Sequence, residues 1–215
     1  MTISIYNMAE NIKNIIINTF NDNASLATLI IAMLPIFELR GAIPFGMSKS
    51  IWGQYALSPL HSFFVSLFGT TLVIPIVALI FSPLLKLLKK TPIFKSLAEK
   101  VENRIKTKSE KIDTSTKLKK IIGILIFVAI PLPLTGVYTG TCIAVLLGLN
   151  MYEILLSVGT GNIIAGLIIV ALSTILKDNS LIVLYCFLAI LIVLLLIGLL
   201  IKRLLNHKKQ KDPIK

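Results

Sequence analysis

Apolar residues in this chain come in long runs instead of the alternating or one-sided patterns of a soluble domain. Five stretches, 24–48, 60–81, 121–148, 151–176 and 180–201, are each apolar enough to lie in a bilayer. At about 1.5 Å per helical residue, roughly 20 residues cross the ~30 Å hydrocarbon layer. Residues 60–81 read as one crossing, carrying Gly69 and Pro75. Residues 151–176 read as another, with Gly159-Thr160-Gly161-Asn162 and Gly166, and residues 180–201 are almost purely Leu, Ile and Val. The other two stretches are broken. Segment 24–48 contains Pro35-Ile36-Phe37-Glu38-Leu39-Arg40-Gly41-Ala42-Ile43-Pro44-Phe45-Gly46, and segment 121–148 contains Pro131-Leu132-Pro133 followed by Thr135-Gly136. Proline lacks the helical N–H, and charges are costly against lipid, so neither predicts a continuous lipid-facing helix.

The remaining segments are more polar. Ile5, Met8, Ile12, Ile15 and Ile16 recur at helical spacing and predict an amphipathic helix over 3–20, ended by Asn21-Asp22-Asn23. The N-terminal segment, 1–23, does not read as a secretory signal, because Glu10, Lys13, Asp22 and several asparagines interrupt it. Ser48 to Ser58 predicts a loop, in which Trp52 and Tyr55 suit a headgroup boundary. Segment 82–120 is a basic linker whose Phe94, Leu97, Val101 and Ile105 form a helical stripe, suited either to an anionic leaflet or to a solvated loop helix. Residues 202–215 are a basic tail.

The charges orient these segments. The linker holds twelve Lys or Arg against four acids and the tail six against one, out of 22 basic residues in the whole chain. Both patches are expected in the cytoplasm, against anionic lipid headgroups. An even number of crossings must then separate them, although three apolar stretches lie between. Making 121–148 re-entrant restores the parity. The first half repeats the design: a Pro-broken stretch (24–48) precedes a Gly-containing crossing (60–81), just as 121–148 precedes 151–176. Phe68-Gly69-Thr70-Thr71 echoes Val158-Gly159-Thr160-Gly161. The fold expected is an all-α integral membrane protein, a polytopic helical bundle with two inverted re-entrant helix-loop segments. Its first repeat is 24–81 and its second 121–176, and discontinuous helices in such folds build substrate sites.

The net charge of +12 does not point to nucleic acid, since no recognition motif accompanies it. Cys142 and Cys186 lie in apolar runs and read as small buried hydrophobes, not a disulfide pair. His61 and His207 are far apart, with no metal spacing around either. No nucleophile–base pair, metal cluster or phosphate loop is present, so neither an enzyme nor a cofactor is expected.

Glu38 and Arg40 are the sharpest chemical signal. Two residues apart, they diverge on a helix and share a side on extended backbone. Pro35 and Gly41 favour non-helical backbone, and hence a direct ion pair. Such a pair either serves as a substrate or proton site or pins the loop. Pro131, Pro133, Thr135 and Gly136 are expected to shape the second loop, where unwound carbonyls could hold a cation with help from the Thr135, Thr139 and Thr141 hydroxyls. Back-bonding to the helix is the commoner use of such threonines. Gly159, Gly161 and Gly166 are expected to be close-packing points, and Asn162 interhelical glue rather than a substrate ligand. Glu153, beside Tyr152, reads as a solvated acid at the membrane edge.

The run Glu38 to Gly46 resembles the signature of the small multidrug export family. Pro131-Leu132-Pro133-Leu134-Thr135-Gly136-Val137-Tyr138-Thr139-Gly140-Thr141, with Gly148 and Gly161-Asn162, resembles its second block. The resemblance covers roughly residues 25–176. That family is distantly similar to the DedA/VTT membrane proteins, which carry paired re-entrant loops and are associated with lipid translocation. Many of those have a basic residue in the second loop, whereas this chain has none between Lys120 and Lys177. The resemblance implies a multi-pass small-molecule or multidrug exporter; proton coupling through Glu38 and a bacterial or archaeal plasma membrane are expected with it. Glu38, Arg40, Pro44, Pro131, Pro133, Thr135, Gly136 and Asn162 are its candidate substrate or coupling residues. A DedA-like lipid translocase or scramblase is the second reading and a non-transporting scaffold the third; a homodimer is compatible with each.

Overall fold

A computed structural model describes residues 10–11, 14–88 and 114–176, with scattered positions between 182 and 196. Among the described residues every element is helical: α1 (Asn14–Phe20), α2 (Ala24–Ala32), α3 (Glu38–Gly46), α4 (Lys49–Trp52) with a 3-10 turn at Gly53–Tyr55, α5 (Pro59–Leu88), α6 (Thr114–Ala129), α7 (Val137–Leu146) and α8 (Met151–Ile175). The start of the amphipathic segment, the stripe Phe94 to Ile105, most of 180–201 and the tail lie outside the described residues.

Helices α5 and α8 are each long and apolar enough to cross a membrane. Leu60, Phe64, Phe68, Leu79 and Ile80 on α5, and Leu167, Leu172 and Ile175 on α8, point outward and remain exposed. An apolar exterior of this extent is a hazard in water and the natural surface in lipid. The protein is a helical membrane protein.

The shorter helices fold back on themselves. α2 is capped by Asn23, whose side chain accepts from Leu26 N at 2.9 Å, and it ends at the turn containing Pro35. α3 then returns along α2, because Phe45 near its end packs with Ala24 and Ala27 at the start of α2. In the second half, α6 stops before Pro131, and α7 returns along it. The Lys120 ammonium on α6 donates to the Leu147 carbonyl just beyond α7, at 3.1 Å. α2 and α3 have 9 residues each and α7 has 10, about 14–15 Å of helix and half the hydrocarbon thickness.

Capping fixes the joints. Gly148 takes φ 74°, closing α7 with Leu149 N donating to Ala144 O at 3.1 Å. Asn150 and Glu153 form a reciprocal capping box at the start of α8, and Glu153 also pairs with Lys117 of α6. Glu153 is therefore not the solvated acid expected. It stands three residues after an Asn N-cap, the spacing that lets its carboxylate reach back to the Asn150 N–H. Trp52, expected to suit a headgroup boundary, is turned into the protein. It is 2% exposed, meets the Phe45 ring edge-on, and donates its indole N–H to Phe45 O at 3.1 Å. The short helix α4 and the following 3-10 turn, inside the expected loop, carry it inward, while Tyr55 stays exposed. Cys142 and Cys186 are both free. Cys142 is half-buried, but Cys186 is exposed, on the outside of an apolar run.

α5 and α8 run antiparallel. Phe63 lies against Gly166, Thr70 meets Asn162, and Val73 and Ile74 share a cluster with Ile154 and Val158. The hairpins exchange partners across this pair, α3 packing on α8 and α7 on α5. Two glycines allow the close approach of each long helix to its own hairpin. A Cβ at Gly69 would lie 2.9 Å from Leu29 O of α2, and one at Gly161 would lie 2.6 Å from Leu125 O of α6. The local echo is thus shifted by two residues. Gly69 corresponds to Gly161, whereas a Cβ at Gly159 would meet nothing within 4 Å among the described residues, so Gly159 is no packing point among them. Gly161→Ala should therefore destabilise the protein by about 1–3 kcal/mol through overpacking. Gly159→Ala should be neutral or slightly stabilising, since helical Gly is disfavoured relative to Ala. Unfolding midpoints in detergent check both.

Candidate functional site

The turn after α2 delivers Glu38 and Arg40 to the centre of the bundle. Glu38 opens α3 with φ 47°, a left-handed conformation uncommon outside glycine. The expectation of non-helical backbone through Gly41 is therefore replaced by a helix beginning at Glu38 itself, with Gly41 and Pro44 inside it. The ion pair forms nonetheless. At the first helical position the left-handed φ turns Glu38 away from its regular helical direction, and the long Arg40 side chain reaches back to it. Arg40 Nη1 donates to Glu38 Oε2 at 2.7 Å, and both side chains are almost fully buried.

The second hairpin supplies what the pair cannot supply to itself. Between α6 and α7 the chain is unwound over residues 130–136, with Leu134 at φ 72°. The Arg40 Nη2 amino group donates to Val128 O at 3.0 Å, Thr135 O at 3.3 Å and Ile130 O at 3.4 Å. The loosened carbonyls of the second hairpin thus accept from an arginine of the first. Glu38 takes the opposite end of the break. Its Oε2 accepts from Val137 N at 3.2 Å and its Oε1 from Tyr138 N at 3.3 Å. These N–H groups open α7, where free donors and the helix dipole favour an anion. Gly136, the N-cap, has no side chain to satisfy them, and a Cβ there would overlap the Glu38 carboxylate. A residue nearly one hundred positions away thus performs the N-cap's function.

Thr135 belongs to the charged site, its hydroxyl also accepting from Arg40 Nη2 at 3.4 Å, while the remaining candidates do other work. Thr135 Oγ1 donates to Ile130 O at 2.7 Å and Leu132 O at 2.8 Å, holding the turn shape; Pro131 and Pro133 sit in the same turn. Thr139 back-bonds to Leu134 O, while the buried Thr141 hydroxyl has no partner among the described residues. Pro44 is buried in the last turn of α3. Asn162 lies apart from the charges and donates to Thr70 Oγ1 at 2.7 Å, as interhelical glue. Sequence reasoning missed Val128, Ile130, Val137 and Tyr138, whose contributions here come from the backbone. It also missed the Tyr138 hydroxyl, which donates to Met33 O at the end of α2. Among the described residues no group of three or more His, Cys, Asp or Glu could hold a metal ion.

Removing one partner of a buried, hydrogen-bonded charge pair costs about 3–5 kcal/mol. Glu38→Ala should lose that amount. Gly136→Ala should lose a similar amount, because its Cβ evicts the carboxylate. The double variant should be no less stable than either single one, since both remove the same contact. Unfolding midpoints of the three variants test this.

Residues 38–168 match the family described as "Putative small multi-drug export protein", a span that begins at Glu38 and takes in both halves of the docked site. No curated protein and no solved structure matches the chain. By that match, which covers more than half of its length, the chain belongs to the small multi-drug export protein family.

Proposed function

We propose that this protein is a multi-pass exporter of small molecules in the cell membrane, in which two re-entrant hairpins enter from opposite faces and meet at Glu38 and Arg40. The observation that carries this reading is the reciprocal docking of the pair onto the two backbone ends of the second hairpin. Irregular backbone at membrane depth is tolerated where protein or a wet cavity covers it, and transporters place substrate sites at such breaks.

Several features support the inverted arrangement. Each hairpin returns to its own end of the molecule, as the Lys120–Leu147 bond and the packing of Phe45 with Ala24 illustrate. The long helices that follow run antiparallel, and Gly69 and Gly161 make matching contacts with their own hairpins. Immediately after these glycines, Thr70 and Asn162 bond to each other. Residues at equivalent positions of an inverted repeat meet in this way where its symmetry axis passes. With the basic linker inside, the first hairpin enters from outside and the second from the cytoplasm.

In the proposed cycle the two hairpins separate at the charged contact. A proton on Glu38 would cancel its charge and weaken its hold on Arg40 and on the α7 N–H groups. Among the described residues, the Arg40 guanidinium is the ionisable group that bonds it, and Tyr138 meets it through the backbone N–H. Proton coupling enters at this point, and no covalent chemistry is assigned to the site.

A lipid translocase is the second reading, favoured by a groove of about 560 Å³ between α2 and α5. Asn23, Ser25 and His61 give it polar character, and Leu26, Phe64 and Phe68 line it with apolar surface. Gradient-independent flipping of fluorescent phospholipid in proteoliposomes would select this reading.

Glu38→Gln should reduce substrate flux in reconstituted vesicles at least tenfold while the protein still inserts, with an unfolding midpoint below that of wild type. Unchanged flux would remove Glu38 from the cycle.

A further inference from the structure

We infer that the cradle filled by the Glu38 carboxylate is an anion-binding site, and that the substrate presents to it an anionic oxygen group, a carboxylate or phosphate, in place of Glu38. This inference rests on the exporter reading and names its substrate class.

The recognition of Glu38 is generic to oxyanions. Two N–H groups at the start of a 10-residue helix and one guanidinium hold its two oxygens. Carboxylate and phosphate bind such donors alike. Gly136 leaves the space that the carboxylate occupies. The guanidinium is held independently of Glu38 by the Val128, Ile130 and Thr135 carbonyls, so the cation keeps its place when the carboxylate leaves. It also has capacity to spare: Arg40 is 1% exposed, yet its buried Nε–H has no partner among the described residues.

By the same comparison Glu38 is the partner we assign to leave, since its hold on the second hairpin runs through its carboxylate oxygens. It sits at the end of a turn, in a left-handed backbone conformation, and only its carboxylate reaches the second hairpin. If it swings out with nothing in its place, a buried arginine and a helix N-terminus are left uncompensated, which is unfavourable. An incoming anion removes that penalty. A cationic substrate meets the same arginine and the same positive helix end, and is disfavoured there.

The oxyanion could come from a membrane amphiphile or from a soluble anion. Glu38→Ala, in nanodiscs of zwitterionic lipid, separates these sources when titrated with dodecyl phosphate, inorganic phosphate and dodecyltrimethylammonium. Dodecyl phosphate should bind Glu38→Ala at least tenfold more tightly than wild type and raise its unfolding midpoint. The gain should vanish in Glu38→Ala/Arg40→Ala. An equal gain with inorganic phosphate identifies a soluble anion, and a gain confined to the long-chain phosphate identifies an amphiphile. Equal dodecyl phosphate affinity in wild type and Glu38→Ala, or a gain for the ammonium instead, overturns the proposal.

Should Glu38→Ala fail to fold, wild-type vesicles provide the readout, and should move a fluorescent alkyl phosphate at least tenfold faster than its trimethylammonium counterpart. The reverse preference overturns the anion assignment and leaves the exporter reading standing. Where Glu38→Ala does fold and shows the binding gain, movement of neither probe by wild-type vesicles supports the anion site and removes the exporter reading.

Discussion

A carboxylate and a guanidinium buried inside an apolar bundle need neutralising partners other than bulk water, and this requirement organises the molecule. The direct Glu38–Arg40 contact satisfies one side of each group. The remaining oxygens and N–H groups need partners of opposite polarity, and a broken helix offers both at once. Carbonyls point out of the end of α6, and N–H groups point out of the start of α7. The pair bridges the break, with the cation on the carbonyl end and the anion on the N–H end. Each hairpin thereby completes the other. The first would bury charge without sufficient partners, and the second would bury backbone groups without them.

The rest of the architecture keeps those two ends in register. α5 and α8 form an antiparallel spine, and Gly69 and Gly161 let each hairpin approach its own long helix closely. The exchange of α3 onto α8 and of α7 onto α5 then brings the two turns together. At one end of the molecule, Lys117–Glu153 and Lys120–Leu147 tie α6 to the start of α8 and the end of α7. That end carries exposed charge, whereas the centre relies on buried charge. This contrast is compatible with a contact that opens at the centre while the ends stay closed.

Much of this was legible in the sequence because proline, glycine and charge are conspicuous in an apolar chain. The breaks near Pro35 and Pro131, the long helices at 60–81 and 151–176, and the pairing of Glu38 with Arg40 could all be read there. The partners of the pair could not. Val128, Ile130, Val137 and Tyr138 contribute backbone groups that every residue type carries, so no letter marks them. Gly136 was marked, but as a turn former, and its actual value is the room that it leaves for a distant carboxylate. The glycine echo was read two positions out of register because Gly159 and Gly161 differ only in what faces them. Residue type alone suggests a headgroup contact for Trp52 and solvent for Glu153, and leaves out that the indole bonds the Phe45 carbonyl and the carboxylate bonds the Asn150 cap, both close by in the sequence.

Sidedness labelling tests the central proposal most directly, since on that proposal the second hairpin returns to the face from which it entered. Single cysteines at Ile121 and Gly148, in a background lacking Cys142 and Cys186, can be probed with an impermeant maleimide on oriented vesicles. The account predicts that both positions react from the cytoplasmic face and neither from the outside. Labelling of the two from opposite faces would make α6 and α7 a single broken crossing and would contradict it.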